Sequence, residues 1–217
     1  MNRMHSVFTL AIGLAVVSCG GNPEPEVFEF PPPVEEPAPA PVDDGSARLE
    51  AMAADLCAQA AQAMQAGDYT LARQRLEEVL ASYPGTTCAD GAPAQLERAM
   101  AMQTLTARIY FGFNLSEITD EAAGILAAKA DVMNQHQAVM LTVEGHCDER
   151  GSLEYNQALG LRRAQAAADY LGSLGIDGAR LRVVTFGEER PLAMGRNESA
   201  WAQNRRSEFV VTAGGLR

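Results

Sequence analysis

The stretch Thr142-Val143-Glu144-Gly145-His146-Cys147-Asp148-Glu149-Arg150-Gly151-Ser152-Leu153-Glu154-Tyr155-Asn156, followed by Gly160-Leu161-Arg162-Arg163-Ala164, decides the fold. Val139, Leu141 and Val143 alternate with less apolar neighbours, the pattern of a half-buried strand. A long helical pattern runs from Leu153 to Leu174 and stops at Gly175. Asp148 therefore follows a strand, and Arg163 lies inside the next helix. Asn156, Gly160, Arg163 and Ala167 recur at i, i+4, i+7 and i+11 and share one helix face. Gly160 and Ala167 are small, so they leave a groove beside Arg163 or admit close packing of another element. A mid-helix glycine costs roughly 1 kcal/mol relative to alanine, which implies that the space is used. Asp148 can pair with an ammonium, and Arg163 can fork two hydrogen bonds onto a carboxylate. The alternative is that these two side chains pair with each other at the surface.

Working outward, Arg108-Ile109-Tyr110-Phe111 reads as a strand, and Thr119 as an N-cap with Asp120 and Glu121 in the first helical turn. Ile125, Leu126, Ala130 and Met133 form the apolar face of that helix. Leu181 to Phe186 and Glu208 to Thr212 read as further strands. The predicted order is βαβαββ-like over residues 106–213, an α+β fold with helices on one face of a mixed sheet.

Residues 47–105 read as helical. Leu49, Met52, Ala53, Leu56 and Ala60 fall at helical spacing. Ala66-Gly67-Asp68-Tyr69 makes a turn, Ala72, Leu76, Val79 and Leu80 continue on a second helix, and Tyr83-Pro84-Gly85 ends it. A third helix is predicted near Ala92 to Thr104. The segment resembles one tetratricopeptide-type hairpin, serving either as structure or as a partner-binding surface. Solenoid repeats need about three copies for stability, so a single copy calls for another brace.

The N-terminus carries Arg3 and an apolar run from Val7 to Val17, too short to span a membrane and suited to a signal peptide over residues 1–18. The run ends Val16-Val17-Ser18-Cys19, which resembles a bacterial lipobox with Cys19 as the lipidated residue. Acyl chains would anchor the protein without a spanning helix. Gly20 in place of an acid resembles outer-membrane sorting. Residues 19–46 hold that cysteine and a Pro/Glu-rich tether, which at about 3.1 Å per residue reaches roughly 80 Å. Export implies an oxidising compartment. With Cys19 acylated, Cys57, Cys88 and Cys147 remain, and the first two, in one helical module, are the expected disulfide. Cys147 is expected to be a small buried residue.

The chain has 217 residues, 47% of them hydrophobic, and a formal net charge of -11. That charge argues against nucleic-acid binding, which needs a basic footprint. The histidines are His5, His136 and His146, and no His-Glu-x-x-His pair, serine elbow or Gly-rich phosphate loop occurs. His146 to Glu149 include metal-ligand types, but successive strand residues point to opposite faces and converge poorly on one ion. His146 is expected to be a hydrogen-bonded structural residue. Binding without a metal or cofactor is therefore expected, not catalysis.

The motifs Thr142-Val143-Glu144-Gly145-His146, Asp148-Glu149-Arg150-Gly151, Glu154-Tyr155-Asn156, Leu159-Gly160, Arg162-Arg163-Ala164 and Asn204-Arg205-Arg206 closely resemble the peptidoglycan-associated lipoproteins, within the OmpA-like domains. The resemblance spans roughly residues 106–212. It implies non-covalent binding of peptidoglycan through diaminopimelate, with Asp148 and Arg163 as main contacts and Asn156 and Arg205 in support. It also implies an outer-membrane lipoprotein of the Tol–Pal system, with a periplasmic TolB-like partner. An OmpA-like lipoprotein of another envelope or secretion assembly is the alternative, with residues 47–105 taking a different partner. Tyr110-Phe111-Gly112-Phe113-Asn114 departs from the family pattern: Gly112 and Asn114 stand where acids are usual. Trp201, where the family often has tyrosine, is expected to pack in the core or rim.

Overall fold

The computed structural model describes residues 45–214 and Leu216. The signal peptide, Cys19 and nearly all of the tether lie outside the described residues. Three helices come first: α1 Ser46–Ala66, α2 Tyr69–Ser82 and α3 Thr87–Thr106. Gly67, at φ 76°, closes α1 in the left-handed conformation that glycine adopts freely. Asp68 then caps α2 by accepting from the Leu71 amide at 3.0 Å. The α1–α3 core is mostly alanine: Ala53, Ala60, Ala63, Ala72, Ala89, Ala92 and Ala99 are buried, with Leu76 and Val79 as its larger fully buried members. Alanine buries little area, so this core is thin. The Cys57–Cys88 disulfide ties α1 to the start of α3. Closing a loop of 31 residues contributes about 3–4 kcal/mol in the chain-entropy account.

After the module come β1 Ile109–Tyr110, α4 Asp120–Gln135, β2 Met140–His146, α5 Leu153–Ser173, a short 3-10 turn at Gly178–Arg180, β3 Leu181–Gly187, α6 Glu198–Asn204 and β4 Arg206–Ala213. The sheet order is β1-β4-β2-β3; β2 and β3 run parallel, and β4 is antiparallel to both β1 and β2. This is the mixed sheet of an α+β fold. One element was not read from the sequence: α6, seven residues long, stands between β3 and β4.

Leu141 and Val143 of β2 and Phe209 of β4 face α4 and α5, burying Leu126, Ala130, Met133, Ala164, Ala167 and Leu171. Thr119 caps α4 through the Ala122 amide at 3.2 Å, and Ser152 caps α5 through the Tyr155 amide at 3.2 Å. The helical module joins this core through α3. Lys129 of α4 is fully buried and donates to the Thr104 and Leu105 carbonyls, both at 2.8 Å, at the end of α3. Its ammonium also lies 4.1 Å from the centre of the Phe209 ring. Burial pushes Lys129 down to about 7.

Candidate ligand-binding site

A register shift at Gly145/His146 ends the β2–β3 ladder and turns the chain toward Asp148. The turn into α5 requires glycine at Gly151, where φ is 119°. Between them lies a cavity of about 230 Å³, lined by Phe113, Asn114, Cys147, Asp148, Arg150, Gly151, Tyr155, Asn156, Leu159 and Arg163. Asp148, Asn156 and Arg163 thus meet at one cavity, while Arg205 stands behind Asp148.

Gly160 does not open a groove. A Cβ there would sit 2.4 Å from Thr185 Oγ1 and 2.9 Å from the Gly145 carbonyl oxygen. A Cβ on Gly145 would sit 1.8 Å from the Gly160 carbonyl oxygen. The pair lets α5 press its backbone onto β2 and β3, and Ala167 is fully buried in the core. The small residues of this face serve close packing, the second of the two explanations open at the sequence level.

That packing carries Arg163 inside, where it is 0% exposed. Its Nε donates to the Leu115 carbonyl at 2.9 Å, and its Nη2 to the Gly112 carbonyl at 3.1 Å. Its Nη1 donates to the His146 carbonyl at 2.8 Å and to the Cys147 sulfur at 3.3 Å. The guanidinium clips the β1–α4 loop to the end of β2. It does not pair directly with Asp148, so the surface ion pair held open above is not formed. Burial lowers the Arg163 pKa from its ordinary value.

Asp148 is 4% exposed and both its oxygens are engaged. Oδ1 accepts from the Arg150 amide at 3.1 Å and from Arg150 Nε at 2.9 Å. Oδ2 accepts from Arg150 Nη2 at 2.9 Å and Arg205 Nη1 at 3.4 Å. Burial pushes the carboxyl up, but the Arg150 side-chain and backbone hydrogen bonds and then Arg205 outweigh it, so it lies below its ordinary value. Arg205 also donates to the Phe111 carbonyl at 3.1 Å and to Glu198 at 2.7 Å. Asn156, buried, donates to the Asp148 and Arg150 carbonyls, both at 3.2 Å, and so shapes the turn.

Arg150 is the participant the sequence reading passed over. Its guanidinium lies between two aromatic rings, 4.2 Å from the Phe113 centroid and 4.1 Å from that of Trp201. Trp201 is thus a rim residue whose face is already stacked. The signal was present as an arginine two places after Asp148, but nothing local pairs it with Phe113 and Trp201. Asn114, in the left-handed region at φ 57°, accepts from the Tyr155 hydroxyl across the cavity mouth. Cys147 is buried, donates to the Asn156 carbonyl at 3.3 Å, and has its pKa raised by burial.

His146 departs from its expectation. Among the described residues neither buried ring nitrogen has a hydrogen-bond partner, and the ring instead stacks on Phe186 at 5.5 Å. Burial first, then the Arg206 charge, lowers its pKa to about 4, so the ring is neutral. Glu144 and Glu208 lie near it. Glu208 accepts from Arg108 at 2.8 Å and Arg206 at 2.7 Å, and Arg190 adds a third positive charge to the neighbourhood. These guanidiniums cancel the negative field that a divalent cation would need.

The chain matches the OmpA family over residues 110–205. It is 44% identical over 108 residues to the peptidoglycan-associated lipoprotein of Mesorhizobium japonicum, a match covering 50% of this chain and 64% of that relative, less than two thirds of its length. It is 39% identical over 126 residues to the peptidoglycan-associated lipoprotein of Pasteurella multocida, covering 57% of this chain and 84% of that one. The crystal structure of the peptidoglycan-associated lipoprotein from Burkholderia pseudomallei aligns with 37% identity and a TM-score of 0.48, over 48% of this chain and 89% of that one. With a strand–turn–helix cavity inside the matched segment and a relative matched over most of its own length, the chain belongs to the peptidoglycan-associated lipoprotein family and carries an OmpA-like domain.

Proposed function

We propose that this protein is an outer-membrane lipoprotein that holds peptidoglycan non-covalently through diaminopimelate and tethers the membrane to the wall. Cys19 carries the lipid, residues 19–46 supply the reach, and the OmpA-like domain grips the wall. The cavity at the β2–α5 turn carries this reading, because it gathers Asp148, Asn156 and Arg163 in a space sized for the end of an amino acid. Asp148 takes the ammonium side of the ligand. Asn156 and Arg205 hold Asp148 and its turn in place, and Arg163 holds the cavity wall. The action is binding, not turnover, and many copies acting together supply mechanical strength through avidity. Among the described residues no helix is long and apolar enough to cross a membrane, which accords with a lipid anchor. Within the Tol–Pal system a periplasmic TolB-like protein is the partner.

A second reading has one observation in its favour. The α1–α3 module lies outside the segment matched to the OmpA family and carries its own cavity of about 540 Å³, lined in part by Met64, Tyr69, Arg98 and Met102. An envelope assembly that docks there would use the same wall anchor.

Co-sedimentation of the protein with purified diaminopimelate-type peptidoglycan tests the proposal. Wild-type protein pellets with the wall, and Asp148→Asn, matched to it in circular dichroism, stays in solution. A soluble wild type, or full pelleting by a folded Asp148→Asn, would sink the reading.

A further inference from the structure

We infer that the trough between α1 and α3 receives an extended, largely apolar segment of another envelope protein, in which one internal glutamate or aspartate pairs with Arg98. The inference rests on the second reading above and is independent of how the wall is held.

The trough follows from how the module packs. α1 and α3 each lie along α2 and touch one another far less. One face of α1, with Ala61, Met64 and Gln65, and one face of α3, with Gln95, Arg98 and Met102, are left to line the space of about 540 Å³ between them. Tyr69, the first residue of α2, completes the lining. The thin alanine core is braced from several sides. The Cys57–Cys88 disulfide ties α1 to α3, and Glu50 accepts from the Thr87 amide at 3.0 Å. Gln103 of α3 donates to the Thr70 hydroxyl of α2 at 3.0 Å, and Lys129 holds the end of α3 to α4. The trough is thus preformed, which lowers the ordering cost of binding.

Its lining is apolar where it is half-buried, at Met64, Tyr69 and Met102. Its polar groups are unspent. Among the described residues the side chains of Gln65, Gln95 and Arg98 make no hydrogen bond or ion pair. Arg73 and Arg75 of α2, by contrast, are matched to Glu77 at 3.6 Å and Glu78 at 2.9 Å. A carboxamide both donates and accepts, so the two glutamines suit the free N–H and C=O groups of an extended backbone. A helix has already spent those groups on itself.

Exposure and charge then narrow the occupant. A small ligand is ordinarily enclosed over about 70–90% of its surface. Ala61, Gln65, Gln95 and Arg98 are all exposed, so the trough covers one side only and suits a chain that runs past both ends. The acid is therefore internal to that chain. Arg98 is the one charged residue in the lining, while the protein as a whole carries a formal net charge of -11. A segment rich in acids would be repelled by the whole and a basic one by Arg98. A single acid among apolar neighbours satisfies both.

The test uses end-blocked nonapeptides with a central glutamate and every combination of leucine, valine, methionine and phenylalanine at the two positions on each side. Matched sets carry central glutamine or lysine, and one glutamine set has a free C-terminal carboxylate. Fluorescence anisotropy with the intact protein in detergent ranks them. The tightest glutamate peptide is expected to weaken by at least about tenfold when its glutamate becomes glutamine. Arg98→Gln is expected to bind the two within about twofold of each other. Ala61→Trp, which fills the trough from an exposed position, is expected to bind neither. Melting curves show that both variants are folded, and both are expected to pellet with the wall as wild type does. A tightest peptide indifferent to its glutamate, one that needs the free carboxylate, or a glutamate preference that survives Arg98→Gln overturns the Arg98 pairing alone. Binding that survives in folded Ala61→Trp, or a wild type that binds no peptide of any set, overturns the trough as a docking site and the second reading with it.

Discussion

Arg163→Ala is a stability variant before it is a binding variant. Among the described residues, the substitution removes the only side-chain donors to the Leu115, His146 and Gly112 carbonyls. The Gly112 carbonyl keeps the Leu115 amide at 3.2 Å, which leaves two acceptors to count. Stranding a buried acceptor costs about 1–3 kcal/mol, and the Leu115 carbonyl, with partial water access, falls at the lower end. The two sum to about 2–4 kcal/mol, and the empty volume left in a fully buried position adds to that. For a chain of this size each kcal/mol lowers Tm by about 2–4 °C, so the expected fall is roughly 4–16 °C. Arg163→Met fills the volume and relieves the burial of a charge, the same burial that lowers the Arg163 pKa, and so melts above Arg163→Ala. Arg163→Lys offers one ammonium to three divergent carbonyls and falls between Met and wild type. Thermal melts and urea curves of the four proteins give the order, with m unchanged if the native state stays compact. An Arg163→Ala protein melting within about 2 °C of wild type would refute the clip and return the guanidinium to the ligand.

Gly160→Ala, which improves helix propensity by roughly 1 kcal/mol, is nonetheless expected to destabilise by about 1–3 kcal/mol, because its Cβ meets Thr185 and the Gly145 carbonyl; urea midpoints give the sign. Reducing Cys57–Cys88, or replacing both with serine, is expected to cost about 3–4 kcal/mol and to raise hydrogen exchange in α1 first, while wall pelleting persists. Lys129 loses its proton at about 7 when folded and at its ordinary value of 10.5 when unfolded. The unfolded chain therefore binds more protons between those values, and this group makes stability rise with pH across that window. The rise should vanish in Lys129→Met when melting temperatures are compared from pH 6 to pH 10.

The sheet was legible because its signals are local. Alternation in β2, the Thr119 cap of α4 and the glycine that ends α5 each fix an element from its own residues. The same locality explains the errors at the edges. α3 starts at Thr87, ahead of Gly91 and Pro93, although both residues argue against a helix there. Its first turn is held from outside: Glu50 of α1 accepts from the Thr87 amide at 3.0 Å, and the disulfide fixes Cys88. No window around Pro93 contains Glu50. α6 has seven residues, too few for a period to show, and only Asn197 as a cap with Glu198 behind it marks its start.

The site was half legible for a different reason. Sequence assigns charges to positions but not charges to partners. Asp148 and Arg163 read as complementary because one follows a strand and the other faces it from a helix. In three dimensions backbone carbonyls, which any sequence supplies and none advertises, hold Arg163 in the cavity wall, while Asp148 is matched by Arg150 two residues away. The glycine contact at Gly145 and Gly160 is the cause. By drawing α5 against the sheet it sets Arg163, fully buried, into the cavity wall, and the turn capped by Ser152 carries Arg150 to the rim. The shorter the approach between helix and strand, the deeper the helix cation is buried and the more of its donors the loops must satisfy. An alanine at Gly160 would therefore act on the site as well as on stability, by lifting Arg163 away from the carbonyls it now holds.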